Sequence, residues 1–309
     1  MIATAIVRPV LILPVYRGGD RFRRALHTMP EAAPWFERVV ISVNSEPESA
    51  DHRVALDAAR SLPRCDVVLT GRELGWIEHQ NFWVTQVEAM GYGRDTWIYW
   101  FAHDDELRPA GIRAIVDAHG NWPLRRGTIY LGPWAMAADD PDDLGRGVDQ
   151  SVLDSWTSFP LPGPLRMTVA EWIADQLVQP TYINMSGAIT TLETFLRMRD
   201  FPFTKPSGMR IEMAAAASLQ NSYVEELSTP TIVTYGRADS FRTKFDAVAR
   251  RDDAHLMAWL GRYVAAHPSS LPEITRALTS VTASHVRHRL FGAPLPTEEW
   301  RFREQVFST

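Results

Sequence analysis

The stretch that decides the fold is Thr96-Trp-Ile-Tyr-Trp-Phe-Ala-His-Asp-Asp-Glu-Leu-Arg-Pro109. Its first half is an unbroken run of aromatic and β-branched side chains, which is typical of a strand covered on both faces. The run stops at three consecutive acids, which would repel one another in a dry core and are therefore expected near water or a cation. Proline follows, and proline is favoured in the first turn of a helix. The stretch predicts a buried strand, an acidic tip and a helix.

This unit also predicts a place for a ligand. In open α/β sheets, ligands bind just beyond the carboxyl ends of the strands, where Asp104 and Asp105 would lie. Hard cations such as Mg²⁺ take oxygen ligands, often one or two carboxylates completed by substrate phosphates. A solvated acidic loop is the alternative, and the abrupt change from aromatic strand to acids to proline weakens it.

Strands and helices alternate through the first half of the chain. Apolar runs at residues 5–16, centred on 10–15, and at residues 39–43 and 66–70 predict strands, and patterns with helical spacing lie between them. Together with the aromatic strand they indicate an α/β fold with a Rossmann-like, mainly parallel mixed sheet flanked by helices. Further on, residues 182–189 predict a strand and residues 224–235 a pair of short strands.

Composition places the chain among ordinary globular proteins. It has 309 residues, of which 45% are hydrophobic and 22% charged, and its net charge of −5 gives no sign of nucleic-acid binding. The single cysteine, Cys65, excludes an internal disulfide and fits a reducing cytosol. No apolar run reaches the roughly 20 residues that span a bilayer. We expect a cytoplasmic protein without a transmembrane segment, and peripheral contact with the inner face of the membrane stays open.

Taken in order, several segments resemble family 2 glycosyltransferases. Val10-Leu-Ile-Leu-Pro-Val-Tyr16 resembles the opening strand of that family, and Val39-Val-Ile-Ser-Val-Asn-Ser45 resembles its second strand. Residues 75–81 resemble the Gly-then-Asn signature that follows the third strand. Phe101-Ala-His-Asp-Asp-Glu-Leu-Arg-Pro109 resembles the aspartate motif with its proline, and Ser186-Gly187 the later acceptor-side strand.

The resemblance covers roughly residues 6–245. It implies a GT-A-type domain over residues 1–245, with residues 246–309 as a C-terminal helical extension. It also implies transfer of a sugar, with inversion at the anomeric carbon, from a nucleotide-diphosphate donor. The acceptor would be a hydroxyl of a glycan, a lipid-linked or a small molecule, as in polysaccharide biosynthesis. A divalent cation, Mn²⁺ or Mg²⁺, would offset the charge of the leaving diphosphate and rest on Asp104 and Asp105.

The resemblance also implies roles for individual residues. Glu212 falls where the family carries its catalytic acid and would take the proton from the attacking hydroxyl. Its rivals for this role are Glu171, whose position fits a capping box, and Glu193, whose position fits the first turn of its own helix. The alternative interpretation of Glu212 is also structural: an exposed acid in the first turn of a helix, where it interacts with the helix dipole. Further residues are predicted to bind the donor. They come from the strand ends, the third-strand signature, the aspartate motif and a basic loop, and they are Pro14, Tyr16, Asn44, Glu46, Asn81, His103, Asp104, Arg237, Arg242 and Lys244.

The chain departs from the pattern of the family in two places. Asn44 and Ser45, with Glu46 next, stand where the second strand usually ends in acids, which leaves the base of the donor open. Ala102 replaces the first acid of the aspartate motif. Two other functions therefore stay open. One is a sugar-phosphate nucleotidyltransferase, of which Tyr16-Arg-Gly-Gly-Asp20 is a thin phosphate-loop signature, and the other is a non-catalytic relative that binds a nucleotide or glycan.

Overall fold

Two β-sheets with flanking helices make up the described part of the chain, which we analysed in a computed structural model. The described residues are 7–131, 134–138, 166–168, 186–199, 223–227 and 229–236, with isolated positions between 265 and 279. The elements are β1 (Val10–Val15), α1 (Gly19–His27), α2 (Met29–Ala32), a 3₁₀ turn (Ala33–Trp35), β2 (Arg38–Val43), α3 (Ala50–Ser61), β3 (Cys65–Leu69), α4 (Trp76–Ala89), β4 (Trp97–Trp100), β5 (Glu106–Leu107), α5 (Pro109–His119), β6 (Thr128–Leu131), β7 (Trp134–Ala138), β8 (Arg166–Thr168), β9 (Ile189–Thr191), α6 (Leu192–Arg199), β10 (Tyr223–Glu226) and β11 (Ile232–Gly236).

The larger sheet has the strand order β3-β2-β1-β4-β9-β6-β10-β8. Its first four strands are parallel, β9 runs antiparallel between β4 and β6, and β8 is antiparallel at the far edge. The smaller sheet has the order β5-β11-β7. This topology confirms the predicted α/β class, a Rossmann-like mixed sheet that is mainly parallel. The predicted boundary between residues 245 and 246 lies outside the described residues and stays a prediction.

The core forms around the aromatic strand, as its composition predicted. All four residues of β4 are buried. The ring of Tyr99 packs edge-on against Phe36, with ring centroids 5.2 Å apart, and against Trp122 at 6.0 Å. Trp97 makes a similar contact with Tyr130 on β6. Because edge-to-face pairs add to the free energy of burial, β4 is fastened to the segments before β2 and after α5 and to β6.

Only the second half of the strand predicted for residues 182–189 can be compared with the structure, because residues 182–185 lie outside the described residues. Residues 186 and 187 form a turn, and β9 starts only at Ile189. Gly187 has a φ of 82°, a left-handed conformation that interrupts an extended strand. Its amide still donates to the carbonyl of Trp100 (2.8 Å), so the turn is fastened to the end of β4.

Helix α5 lies directly against the segment that enters β11. A β-carbon added at Gly111 would stand 1.9 Å from the carbonyl oxygen of Pro230, so glycine is required there. Arg108 donates its backbone N–H to the carbonyl of Thr231 (2.8 Å), which holds β5 and β11 together at the same point. Among the helices of the described residues, none has both the length and the apolar character needed to cross a bilayer.

Candidate functional site

The strand order of the larger sheet reverses between β1 and β4, and we call the space beyond their last paired residues the crevice. The two strands pair only as far as Ile12 and Trp100, and the amide of Phe101 makes the next hydrogen bond, to the carbonyl of Ile12 (3.0 Å). β1 continues to Val15 along β2 alone. Pro14 lies in this extension, where a ring nitrogen without a hydrogen costs no ladder bond to β4. Such a switch point is where open α/β sheets bind ligands.

The segments that follow β1 and β4 touch at this crevice. A β-carbon added at Gly18 would lie 3.3 Å from Cδ2 of His103 and 2.6 Å from Cβ of Phe22, so only glycine fits. His103 is half-buried and is followed directly by Asp104, which is also half-buried. The structure therefore brings the glycine turn after the first strand and the acidic turn after the fourth strand together.

Tyr16 presents an aromatic side chain at the entrance to the crevice. It is 42% exposed, and the guanidinium carbon of Arg17 stands 5.1 Å from the centroid of its ring. Arg17 in turn makes two hydrogen bonds to the carboxylate of Glu73, at 2.9 and 3.2 Å, across to the loop between β3 and α4. This ion pair holds the pKa of Glu73 below its usual value. An exposed aromatic face beside a guanidinium suits a planar, anionic ligand such as a nucleotide.

The backbone amides at the start of α1 are already occupied. Asp51, in the first turn of α3, accepts hydrogen bonds from the amide of Gly18 (2.8 Å) and from that of Gly19 (3.0 Å). A phosphate-binding loop would use these same N–H groups for a phosphate. The carboxylate of Asp51 therefore argues against a phosphate loop at residues 16–20, the feature on which the nucleotidyltransferase alternative depended.

The acidic turn divides into one accessible and two buried carboxylates. Asp105 is 4% exposed and Glu106 3%, while Asp104 is only half-buried. Asp105 and Glu106 do not reach water, so of the two surroundings expected for the acids only a cation remains for the second and third. Arg24 and Arg108 are buried as well, at 2% and 6% exposure, and buried carboxylates are tolerated when cations and hydrogen-bond donors accompany them.

Two tyrosines complete the buried part of the acidic turn. The hydroxyl of Tyr235 donates to Oε2 of Glu106 at 2.6 Å, and burial followed by this hydrogen bond raises the pKa of Tyr235. The hydroxyl of Tyr99 donates to Oγ1 of Thr231 at 2.8 Å, and burial also raises its pKa. The negative charge of Asp105 raises both pKa values further. Both hydroxyls therefore keep their protons and act as fixed donors.

Asn44 serves the backbone at the end of β2. Its side-chain amide donates to the carbonyl of Leu74 (2.9 Å), and its carbonyl oxygen accepts from the amide of the same residue (2.7 Å). It thereby fixes the loop between β3 and α4. The predicted contact of Asn44 with a donor stays a prediction. The side-chain amide of Asn44 is already used in these two hydrogen bonds to Leu74. Glu46 is exposed at the same sheet edge, and Asn81 is half-buried on α4.

A buried histidine, which the sequence analysis passed over, lies beneath the crevice. His79 on α4 is 5% exposed, and its Nε2 stands 2.9 Å from the hydroxyl oxygen of Ser42 on β2. Burial, with a smaller contribution from the neighbouring His103, lowers the pKa of His79 to about 4. The sequence pattern that could have indicated a buried His79 is its spacing from Trp83, which lies one turn further along the buried face of the same helix.

The acceptor-side segment of the resemblance also reaches the aspartate motif. The hydroxyl oxygen of Ser186, which is fully buried, accepts a hydrogen bond from the amide of Ala102 at 3.0 Å. Ala102, which replaces the first acid of the motif, is thus fixed by a hydrogen bond from its backbone amide to Ser186.

Four predicted site residues, Glu212, Arg237, Arg242 and Lys244, lie outside the described residues, as does Glu171. The other rival for the role of base, Glu193, makes ion pairs with Arg94 (2.8 Å) and Arg197 (3.0 Å). Two guanidinium partners stabilise its charged form and reduce its value as a base. The structure therefore weakens Glu193 and leaves Glu212 untested.

Of the two carboxylates predicted to hold a cation, Asp104 is accessible and fits a site that a substrate completes, whereas Asp105 is buried and its role as a ligand stays a prediction. In the described part of the chain, no group of three or more His, Cys, Asp or Glu side chains converges as a metal cage. Mg²⁺ is usually bound through one or two carboxylates together with substrate phosphates, and manganese also prefers oxygen ligands. Asp104, with its half-buried carboxylate at the switch point, is suited to this arrangement.

Comparison with protein families and with curated proteins gives no match. Among solved structures, S. aureus TarS 1-349 is 17% identical with a TM-score of 0.47, over 74% of this chain and 60% of that one. S. aureus TarS 1-349 in complex with UDP is 14% identical with a TM-score of 0.48, over 84% and 72%. A 4-diphosphocytidyl-2C-methyl-D-erythritol synthase is 10% identical with a TM-score of 0.39, over 78% and 98%. The chain spans 60% of TarS 1-349 and 41% of the longer TarS chain. At these values the fold assignment rests on the strand order itself.

Proposed function

We propose that this protein is an inverting glycosyltransferase, which moves a sugar from a nucleotide-diphosphate donor to a hydroxyl of a glycan, lipid-linked or small-molecule acceptor. The observation that carries the proposal is the contact between the turn after β1 and the acidic turn after β4. It gathers an exposed aromatic ring, an imidazole and an accessible carboxylate at the switch point of the sheet. The residues concerned are Tyr16, His103 and Asp104.

Each of these groups has a task in binding the donor. Tyr16 offers an exposed face on which a nucleotide base stacks. His103 donates a hydrogen bond to a phosphate oxygen when it is protonated. Asp104 holds a divalent cation, Mn²⁺ or Mg²⁺, which supplies charge stabilisation for the leaving diphosphate when it is bound. Arg237, Arg242 and Lys244 are the predicted additional phosphate ligands.

The proton of the acceptor hydroxyl requires a separate group. In an inverting displacement the hydroxyl attacks the anomeric carbon from the side opposite the diphosphate, so its base must be distinct from the acids near the cation. Glu212 is the proposed base, since the position of this residue matches the catalytic acid of the resembling family. Negative charge on a nearby diphosphate would raise the pKa of this carboxylate toward useful basicity.

The occupied amides of Gly18 and Gly19 favour this function over nucleotidyl transfer. A nucleotidyltransferase would need those N–H groups for the triphosphate of its substrate, whereas a glycosyltransferase donor has only a diphosphate, which the cation at Asp104 holds. A non-catalytic binding protein would share the same crevice and differ only in turnover.

The experiment is a thermal-shift panel of UDP, GDP, ADP and CDP with and without Mn²⁺, followed by incubation of the corresponding nucleotide-sugars. A ligand that binds the native state raises the apparent unfolding temperature. We expect one diphosphate to raise it only together with the metal, and its nucleotide-sugar to release that diphosphate on transfer or hydrolysis. A shift without turnover would favour the binding protein, and pyrophosphate release from a nucleoside triphosphate and a sugar phosphate would favour nucleotidyl transfer.

A further inference from the structure

Arg24 lies under the acidic turn although it belongs to a different part of the chain. It is on α1 and is only 2% exposed. Its guanidinium carbon lies 3.4 Å from the centroid of the Tyr235 ring, at stacking distance. One of its terminal nitrogens donates a long hydrogen bond, 3.4 Å, to the main-chain carbonyl of Asp104. Arg24 therefore joins the helix after β1 to the acidic turn and to the end of β11.

The pairing of β5 with β11 explains why these groups meet. Glu106 stands opposite Val233 in this antiparallel pair. Tyr235, two residues further along β11, points to the same face of the sheet and is the diagonal neighbour of Glu106. Its hydroxyl accordingly reaches the Glu106 carboxylate at 2.6 Å, while its ring carries the guanidinium of Arg24.

The charges in this cluster depend on one another. Asp105 and Glu106 are both buried, and each of their charges raises the pKa of Tyr235, whereas that of Arg24 lowers it. A carboxylate that loses its partners in such a place is driven toward water. Without the stacked guanidinium of Arg24, the turn would therefore be expected to rearrange and bring its second and third acids to the surface.

We propose that Arg24 is a positioning residue for the acidic turn. Its guanidinium, stacked on Tyr235 and bonded to the main chain of Asp104, keeps the carboxylates of Asp105 and Glu106 buried and presents that of Asp104 to the crevice. As far as donor binding is concerned, this inference rests on the proposed function, because the cation bound with the donor is what Asp104 would hold.

Carboxyl labelling with a carbodiimide and glycine ethyl ester, read by mass spectrometry, tests the positioning without any ligand. In the wild type we expect labelling at Asp104 and protection of Asp105 and Glu106. Arg24→Lys keeps the charge and loses the planar stack; it should increase labelling of the two buried acids at least threefold. Arg23→Lys is the matched control, since Arg23 lies on the same helix with an exposed side chain, and it should leave the labelling pattern unchanged.

A second variant keeps the test decisive if the Arg24 variant is poorly folded. Tyr235→Phe retains the ring beneath Arg24 and removes the hydroxyl donor, so labelling of Glu106 should rise while that of Asp104 stays as in the wild type. An unchanged pattern in both Arg24→Lys and Tyr235→Phe overturns the proposal.

Binding of Mn²⁺ separates positioning from a general structural role. The affinity for Mn²⁺ in the presence of the diphosphate that shifts the wild type is measured by electron paramagnetic resonance, at a temperature where all variants are folded. We expect Arg24→Lys to weaken it at least threefold and Arg23→Lys to leave it unchanged. Equal affinity in Arg24→Lys contradicts the positioning role in donor binding. If the wild type binds neither Mn²⁺ nor any diphosphate, the proposed function fails, and the labelling alone decides the role of Arg24.

Discussion

The Nε2 atom of His79 lies 2.9 Å from the hydroxyl oxygen of Ser42, inside the interface between α4 and the sheet. An imidazole with 5% exposure is stable there in its neutral form, because burial of a charged ring would cost solvation free energy. Burial accordingly lowers the pKa of His79 to about 4. The second strand and the fourth helix are thus joined by a group that must lose its proton when the protein folds.

The first prediction is a loss of stability at mildly acidic pH that depends on His79. Its pKa in the unfolded chain is about 6.5, so between pH 6.5 and about 4 the unfolded chain binds the proton and the folded chain does not. The free energy of unfolding is therefore retained above pH 6.5 and falls as the pH drops, by about 2 kcal/mol between pH 7.5 and pH 5.

Urea unfolding of the wild type and His79→Gln at these two pH values measures the effect. The variant should be less stable at pH 7.5, and the difference between its two values should be smaller by about 2 kcal/mol. His27→Gln, which replaces an exposed histidine on α1, is the control and should keep the wild-type difference. A pH dependence that is the same in His79→Gln as in the wild type would mean that His79 is not the titrating group.

The second prediction separates Asp104 from Asp105. Asp104→Ala should abolish the Mn²⁺-dependent part of the thermal shift given by a nucleoside diphosphate and should change the stability of the free protein by no more than about 0.5 kcal/mol. Asp105→Ala should lower the stability of the free protein by about 2 kcal/mol or more, since it removes a carboxylate from a buried charged cluster. Chemical unfolding measures the stability of both free variants, and thermal shift measures their Mn²⁺-dependent binding of the diphosphate. A full Mn²⁺-dependent shift in Asp104→Ala would exclude Asp104 as the metal ligand.

The third prediction concerns the base. Glu212→Gln keeps the shape of the side chain and removes its proton affinity, so transfer should slow by about 10²–10⁴-fold with nearly unchanged donor affinity. Glu193→Gln is the matched control, because Glu193 is bound to two arginines and should contribute little to the transfer rate. Initial rates of sugar transfer under saturating donor decide the matter. Wild-type rates for Glu212→Gln would remove it from the mechanism.

The fourth prediction tests the exposed ring at the entrance to the crevice. Stacking of a base on an aromatic side chain is worth about 1–3 kcal/mol by alanine substitution, so Tyr16→Ala should weaken diphosphate binding by about 5- to 150-fold. Tyr16→Phe should bind as well as the wild type. Tyr223→Ala, which removes another exposed tyrosine, is the control for loss of surface area. Calorimetric dissociation constants measure the effect, and equal constants for Tyr16→Ala and the wild type would place the base elsewhere.

The fifth prediction is structural. Gly111→Ala places a methyl group 1.9 Å from the carbonyl oxygen of Pro230, so α5 or the segment before β11 must move. We expect a loss of about 1–3 kcal/mol in the free energy of unfolding, in spite of the better helix propensity of alanine. Ala110→Ser, at an exposed position of the same helix, should stay within about 0.5 kcal/mol of the wild type. A stabilised Gly111→Ala variant would show that α5 does not press on this carbonyl.

The sequence by itself determined the sheet and the place of the site. The alternation of apolar runs with helical patterns predicted four parallel strands, and the structure has β1 to β4 in that arrangement. The change from the aromatic run at residues 97–101 to consecutive acids predicted a strand that ends at a ligand site. The arrangement of the strands is confirmed, because periodicity and composition are local properties that the backbone obeys wherever the strand is placed. The ligand site at the end of the aromatic strand stays a prediction.

The tertiary structure decided what each polar residue of the site does. Three acids in a row look alike in the sequence, but Asp105 and Glu106 are buried and Asp104 is not, since Arg24 and Tyr235 come from distant segments. The amides of the glycine turn look available in the sequence, and a carboxylate more than 30 residues further along the chain occupies them. Burial and charge compensation depend on partners that only folding brings within hydrogen-bond distance, and no local pattern records them.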